Sequence, residues 1–282
     1  MADVKTATAA RPSGAPRAAG KPKNSNNFWI NLVIVLVCVV VGWLIRTFVL
    51  GNPSHFSDGD VRKHPIDWMG NMYSGGYIVP FLIGMFLIML AFVIERTITI
   101  MKAKGKTNGG EFVRKVQYHL ANKNLDAALA ECDKQSGSVG NVMKAGLHKY
   151  KEMISNTELT TDQKILSIQN EIEEATALEL PMLEKNLVFL STITSAATLL
   201  GLLGTVVGMI TAFSSMADAG APDAGGLAAG ISEALYNTAL GIGTSFCAMI
   251  AYNFFTTIID GVNYSIDESG FTLTQSFAAT YK

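Results

Sequence analysis

Charge is scarce in four long stretches of this chain, and no other feature restricts its fold as tightly. Residues 28–50, 78–100, 188–213 and 227–259 consist almost wholly of apolar and small side chains. Each meets the requirement of about 20 apolar residues for crossing a hydrocarbon core about 30 Å thick. Composition carries the same message, since 49% of the 282 residues are hydrophobic and 16% charged, against roughly a quarter charged in ordinary soluble domains. That balance excludes disorder throughout. A net charge of −1 excludes a broadly basic nucleic-acid binder, so no nucleic acid is expected as a partner. The expected fold is an all-α integral membrane protein surrounded by membrane lipid.

Lys and Arg orient the four spans, because loops rich in them stay on the cytoplasmic side. Segment 1–27 carries Lys5, Arg11, Arg17, Lys21 and Lys23, and segment 101–187 carries twelve basic residues from Lys102 to Lys185. Loop 51–77 has only Arg62 and Lys63, and loop 214–226 has none. An in–out–in–out–in path satisfies all four counts. It assigns 1–27 as a disordered basic cytoplasmic tail, 101–187 as a cytoplasmic helical domain and 260–282 as a cytoplasmic C-terminal helix. The apolar run of 28–50 is longer than that of a signal peptide, and no small-x-small site follows Leu50, so it reads as an uncleaved span. Arg46, near its outer end, can snorkel to the headgroups. Cys38 and Cys247 fall in spans and Cys132 in the reducing cytoplasm, so no disulfide is expected.

Between Gly105 and Pro181 the pattern is that of a solvated helical bundle. Val113, Val116 and Leu120 recur at helical spacing, and Asn124 stands as a polar cap before an apolar run. Ile165, Ile168, Ile172 and Ala175 step by three and four, a coiled-coil-like seam. The seam predicts one long helix running into the third span with a kink at Pro181. Catalytic signatures are missing: there is no GxxxxGK[ST] phosphate cradle, and His55, His64, His119 and His148 pair with no cysteine cluster. His55, Asp58, Asp60, His64 and Asp67 crowd one outer loop, which reads as a solvated polar loop rather than a metal site. Neither an enzyme nor a bound cofactor is expected.

The third and fourth spans each carry a polar stripe. Ser191, Thr194, Thr198, Gly201, Thr205 and Gly208 step by 3, 4, 3, 4, 3 and share one helix face. Small residues so aligned serve close helix packing, and hydroxyls on the same face can also carry water or an ion. In the fourth span Glu233, Asn237, Thr238, Gly241, Thr244 and Ser245 fall within one helical sector. Glu233 lies about two turns from the outer end, and intramembrane carboxylates are functional candidates by default. Two such faces can enclose a narrow polar path, with another chain supplying the titrating group at mid-depth.

These residues carry a resemblance. Gly201-Leu-Leu-Gly-Thr-Val-Val-Gly-Met-Ile210 resembles the GLFGTVxGI signature of the MotA/TolQ/ExbB proton channel family, and Gly230-Ile-Ser-Glu-Ala-Leu-Tyr-Asn-Thr-Ala-Leu-Gly241 resembles its GIAEALxxTAxGL signature. The resemblance implies three family helices plus an extra first one, in a bacterial inner membrane with the two outer loops in the periplasm. It further implies a homo-pentamer around an ExbD- or TolR-like single-span partner, delivering work to a TonB- or TolA-like periplasm-spanning protein. Thr205 and Thr238 would line the ion path, with Glu233 toward its periplasmic end, and Asn237, Thr244 and Ser245 add polarity. Gly201, Gly204, Gly208 and Gly241 would pack the helices. A translocated proton is implied, and the extra polarity leaves sodium open. Where better-known members have a Pro-Tyr pair, this chain has Ala197-Thr198.

The function that follows is an ExbB-like subunit coupling proton-motive force to TonB-dependent outer-membrane transport. A TolQ-like envelope role, or a gliding or flagellar stator role, is the alternative within the family. A self-contained secondary transporter is the alternative outside it, although no pair of broken hydrophobic segments marks inverted halves. The orientation has a direct test: a reporter fused after Gly51 is expected outside and one after Lys106 inside, and the reverse result overturns the charge argument.

Overall fold

The computed structural model describes residues 24–57, 65–218 and 224–281. Most of the basic tail expected over 1–27 lies outside these residues, as do Asp58, Asp60 and His64 and part of the loop expected at 214–226. Among the described residues the structure is helical, without a strand beyond an isolated Phe56–Pro65 bridge. Four helices among these residues are long and apolar enough to cross a membrane. The chain is an all-α membrane protein.

The first of the four, α1 (Asn24–Leu44), widens into a π-helical turn over Ile45–Leu50. The turn closes where the Gly51 N–H donates to the Arg46 carbonyl at 2.9 Å. A short helix, α2 (Trp68–Tyr73), and a turn at Gly76–Ile78 lead into α3 (Val79–Lys104). Lipid offers no hydrophobic drive for helix association, so small residues must let backbones meet. Between α1 and α3 they are Gly42 and Gly84. A Cβ on Gly42 would lie 2.5 Å from the Pro80 carbonyl oxygen, and one on Gly84 would lie 3.2 Å from the Val39 Cα. The first span is therefore docked on its neighbour along its length.

The same device joins α8 (Leu187–Asp218) to α9 (Ala224–Tyr281). A Cβ on Gly241 would lie 2.6 Å from the Ala197 carbonyl oxygen and 2.8 Å from the Gly201 Cα. One on Gly208 would lie 2.9 Å from the Gly230 oxygen. Ala197, Ala212, Ala234 and Ala248 are buried in the same seam. The large side chains of α8, among them Leu199, Val206, Ile210 and Phe213, stay exposed on the other face.

Beyond the spans, α4 (Gly109–Ala121), α5 (Leu125–Gln135), α6 (Gly137–Ser155) and α7 (Thr161–Glu184) form a helical domain around the second half of α9. The Asn124 side chain accepts the Ala127 N–H at 3.1 Å, which starts α5. A Thr160–Gln163 capping box starts α7. Ile168 and Ile172 of the expected seam are buried, with Ile165 and Ala175 packed beside them. The centre of the domain comes from α9, which runs 58 residues without a break, about 87 Å at helical rise. Its Ile266, Leu273 and Phe277 are buried there, and the Phe277 ring meets Tyr150 edge-on at 4.9 Å. Burial raises the Tyr150 phenol above its ordinary value and pushes the Cys132 thiol up to about 12.

The expected kink at Pro181 is not where the long helix gives way. Pro181 sits inside α7, and the break comes at Lys185–Asn186, where Asn186 takes a φ of 65°. Asparagine tolerates this left-handed conformation better than most residues. Its side chain is also engaged: the Asn186 amide accepts from Asn31 at 2.9 Å and donates to Glu95 at 3.3 Å. Glu95 in turn holds the neighbouring, fully buried Arg96, which donates to the Leu183 carbonyl at 3.0 Å. Tertiary bonds at Asn186 thus decide a break that the sequence pattern assigned to proline.

Substituting Gly241→Val forces backbone apart from backbone and is expected to destabilise the α8–α9 pair by about 1–3 kcal/mol. A fall in the thermal unfolding midpoint of the detergent-solubilised protein reads this out. Gly243→Ala, with nothing within 4 Å of its added Cβ, is expected to leave that midpoint unchanged or raise it.

Candidate ion pathway

The sector of α9 that carries the polar residues does not face one way in the folded chain. Asn237, Gly241, Thr244 and Ser245 are buried, while Glu233 and Thr238 are half-buried. The division follows from the neighbours. Ser245 Oγ donates to the Thr194 carbonyl oxygen of α8. Thr238 Oγ1 lies 3.2 Å from the Ala234 carbonyl oxygen and 3.4 Å from that of Gly201. These hydroxyls tie α9 to α8 and leave oxygen lone pairs able to accept from water or face a cation.

On α8, Thr205 is half-buried and donates to the Leu202 carbonyl oxygen of its own helix at 2.5 Å. It opens onto an apolar groove of about 660 Å³ bounded by Val206, Met209, Ile210, Phe213 and Ser214. Gly201, Gly204 and Gly208 are buried against α9, and a Cβ on Gly204 would meet the Asn237 side chain. Asn237 is thus pinned between α8 and the turn that precedes α3. Its Nδ2 donates to the Gly75 carbonyl oxygen at 2.9 Å, and its Oδ1 has no donor among the described residues.

Glu233 sits one turn further toward the α2 end. Its carboxylate packs against the Gly76 backbone so closely that a Cβ there would collide with Oε1. Gly76 also has a φ of 73°, so both conformation and space restrict this position to glycine. A cavity of about 510 Å³ opens beside Glu233, lined by Ser232, Asn71, Ser74 and Thr211 together with Gly226 and Gly230. Across the spans 188–213 and 227–259 Glu233 is the sole charged side chain.

The loop before α2 is fastened by a pair of its own side chains. His55 Nδ1 and Asp67 Oδ2 lie 2.7 Å apart, and Asp67 caps α2 by accepting the Gly70 N–H at 2.9 Å. That N–H, with His55 adding to it, holds the Asp67 carboxyl below the usual carboxylate range. Among the described residues no group of three or more His, Cys, Asp or Glu is placed to hold a metal.

Some of what surrounds the site was not assigned from sequence. Arg46 does not reach simply toward headgroups: its guanidinium lies over the Tyr73 ring at 4.6 Å and near the Tyr77 ring at 5.4 Å. A lone charge inside an apolar run was the available signal. The Gly75–Gly76 turn gave none, because a glycine pair before a span reads as an ordinary loop.

Comparison with known proteins fits this geometry. Residues 134–268 match the MotA/TolQ/ExbB proton channel family. The match covers just under half of the chain. The matched region holds all of the polar residues of α8 and α9 described above. A Tol-Pal system protein TolQ from Pseudomonas aeruginosa is 32% identical over 124 residues, covering 44% of this chain and 53% of its own length. A biopolymer transport protein ExbB from Helicobacter pylori is 45% identical over 71 residues, covering 25% and 49%. A biopolymer transport protein ExbB from Pseudomonas putida is 28% identical over 200 residues, covering 70% and 60%. The chain thus spans about half the length of the curated relatives it matches. The α1 span precedes the matched region and reaches it through the Asn31–Asn186 hydrogen bond, while Gly42 and Gly84 dock it on α3.

Replacing Asn237 by Leu removes the donor to Gly75 and leaves a carbonyl unpaired at membrane depth. A loss of about 1–2 kcal/mol is expected, with faster amide hydrogen exchange confined to the Tyr73–Ile78 turn. Unchanged exchange there would show that the turn is held by other contacts.

Proposed function

We propose that this chain is the channel-forming, ExbB-like subunit of an ion-driven motor in a bacterial inner membrane. The observation that carries the reading is the α8–α9 pair. Glycine contacts lock the two helices together and leave Thr205 and Thr238 half-exposed, with Glu233 beside a cavity at one end. The charge distribution of the loops supports placing that end in the periplasm and the helical domain in the cytoplasm.

Hydroxyls bind water or an ion without ionising at neutral pH, and Glu233 lies too near one mouth to relay charge past mid-depth. A second chain must therefore contribute a carboxylate facing Thr205 and Thr238. An ExbD- or TolR-like single-span partner has the required form. The exposed apolar face of α8, with its groove beside Thr205, supports association with that partner and with further copies of this chain, in the family's pentameric arrangement. Work would then pass to a TonB- or TolA-like protein. The ExbB role is preferred over TolQ, with matches of both names at comparable identity. A proton is the preferred coupling ion, with sodium as the second choice.

Liposomes holding this chain alone are expected to show no ion-selective flux, and adding an ExbD-type partner is expected to produce it. In the complex, Thr205→Val with Thr238→Val should preserve assembly and volume yet lower flux at least tenfold, while the double Ser variant should be milder. Partner-free flux abolished by Glu233→Gln would instead establish a self-contained transporter.

A further inference from the structure

The extra first span carries a charge to the mouth of the path. Arg46 stands on the π-helical turn that ends α1, and its guanidinium is cradled by the faces of Tyr73 and Tyr77. Both distances fall within the about 6 Å over which an aromatic ring attracts a cation. Its Nε is buried and has no acceptor among the described residues. Ring faces hold a guanidinium in place without neutralising it, so the positive charge persists. Gly51, directly after this turn, fits so closely that a Cβ there would lie 2.9 Å from Tyr73 Cε2. The position of Arg46 is therefore fixed from two sides.

The two tyrosines flank Gly75–Gly76, and that turn also touches α9. Gly75 accepts from Asn237 and Gly76 touches the Glu233 carboxylate. One short segment thus contacts a cation on α1, through Tyr73 and Tyr77, and an anion on α9, through Gly76.

We propose that Arg46 is the resident counter-charge of Glu233, through which the extra span sets how strongly the α2-end mouth holds monovalent cations. An ionised Glu233 alone would make the mouth a net negative trap, filling readily and emptying slowly. With Arg46 beside it the pair is neutral, and an arriving proton or sodium ion competes with a fixed cation that cannot leave. Arg46 is in this sense a positioning residue that acts through Glu233. The proposal rests on the reading of Glu233 as part of the ion path.

The test uses the complex with its partner and two readouts. Dicyclohexylcarbodiimide labels carboxyls that are protonated in apolar surroundings, and mass spectrometry assigns the label to Glu233. Arg46→Gln is expected to speed labelling at neutral pH by roughly two- to fivefold, the scale of a partly screened charge pair. Arg46→Lys, which keeps the charge and loses the planar guanidinium, is expected to stay near the parent rate. If Arg46→Gln does not assemble, Arg46→Met supplies the uncharged arm while keeping apolar packing. Equal labelling in parent and uncharged variant, with assembly intact, overturns the proposal. So does a Lys variant that behaves as the uncharged one, since that is the signature of packing alone. The second readout is the half-saturating cation concentration for flux, expected to fall by a similar factor in Arg46→Gln but not when Glu233→Gln is also present. A labelling shift with flux unaffected by either residue would keep the charge pair and overturn the reading of Glu233 as part of the path.

Discussion

Backbone-to-backbone contact between α8 and α9 is the constraint on which the rest of the structure depends. In water a helix pair can be assembled from large apolar side chains, because burying them is favourable in itself. In lipid that drive disappears, and association relies on dispersion and on polar groups that find each other. Gly201, Gly208 and Gly241 bring the two backbones together, and only at that separation can the Thr238 and Ser245 hydroxyls reach carbonyls across the seam. The glycines and hydroxyls are thus one device. They also leave the bulky face of α8 exposed.

Much of this was legible in the sequence for a simple reason: a membrane enforces a coarse code. Four nearly uncharged runs mark the spans, and the periodicity of Gly marks which face of α8 turns toward α9, with the hydroxyls of the same stripe left at its margin. What the sequence pattern could not convey was the contribution of residues distant along the chain. The sector drawn through Glu233, Asn237 and Thr244 is geometrically sound, yet the fold buries Asn237 and Thr244 and leaves Glu233 partly open. The difference lies in what packs there, namely the Gly75–Gly76 turn and α8. Pro181 illustrates the same limit. Its local preference for a break is overridden, while Asn186, unremarkable by pattern, takes the left-handed conformation because Asn31 and Glu95 bind its side chain.

The extra span changes how the polar ends of the molecule are organised. At one end Asn31 joins the Asn186–Glu95–Arg96 cluster, and at the other Arg46 joins Tyr73 and Tyr77. Both contacts connect α1 to the junctions where other helices begin or end. An added helix of this kind does more than anchor the chain, since it touches the core at the points where backbone direction changes.

The unbroken course of α9 has a mechanical corollary. Its neighbour α8 is separated from α7 by a joint at Asn186, but α9 crosses from span to domain with no joint at all. A rotation at one end of an unbroken helix is passed along it without crossing a joint, so the residues about Glu233 and those about Phe277 belong to one continuous element. Between α7 and α8 the chain instead changes direction at Asn186, whose side chain is held by Asn31 and Glu95. The domain is therefore joined to the spans by one seamless helix and by a pair whose junction is clamped.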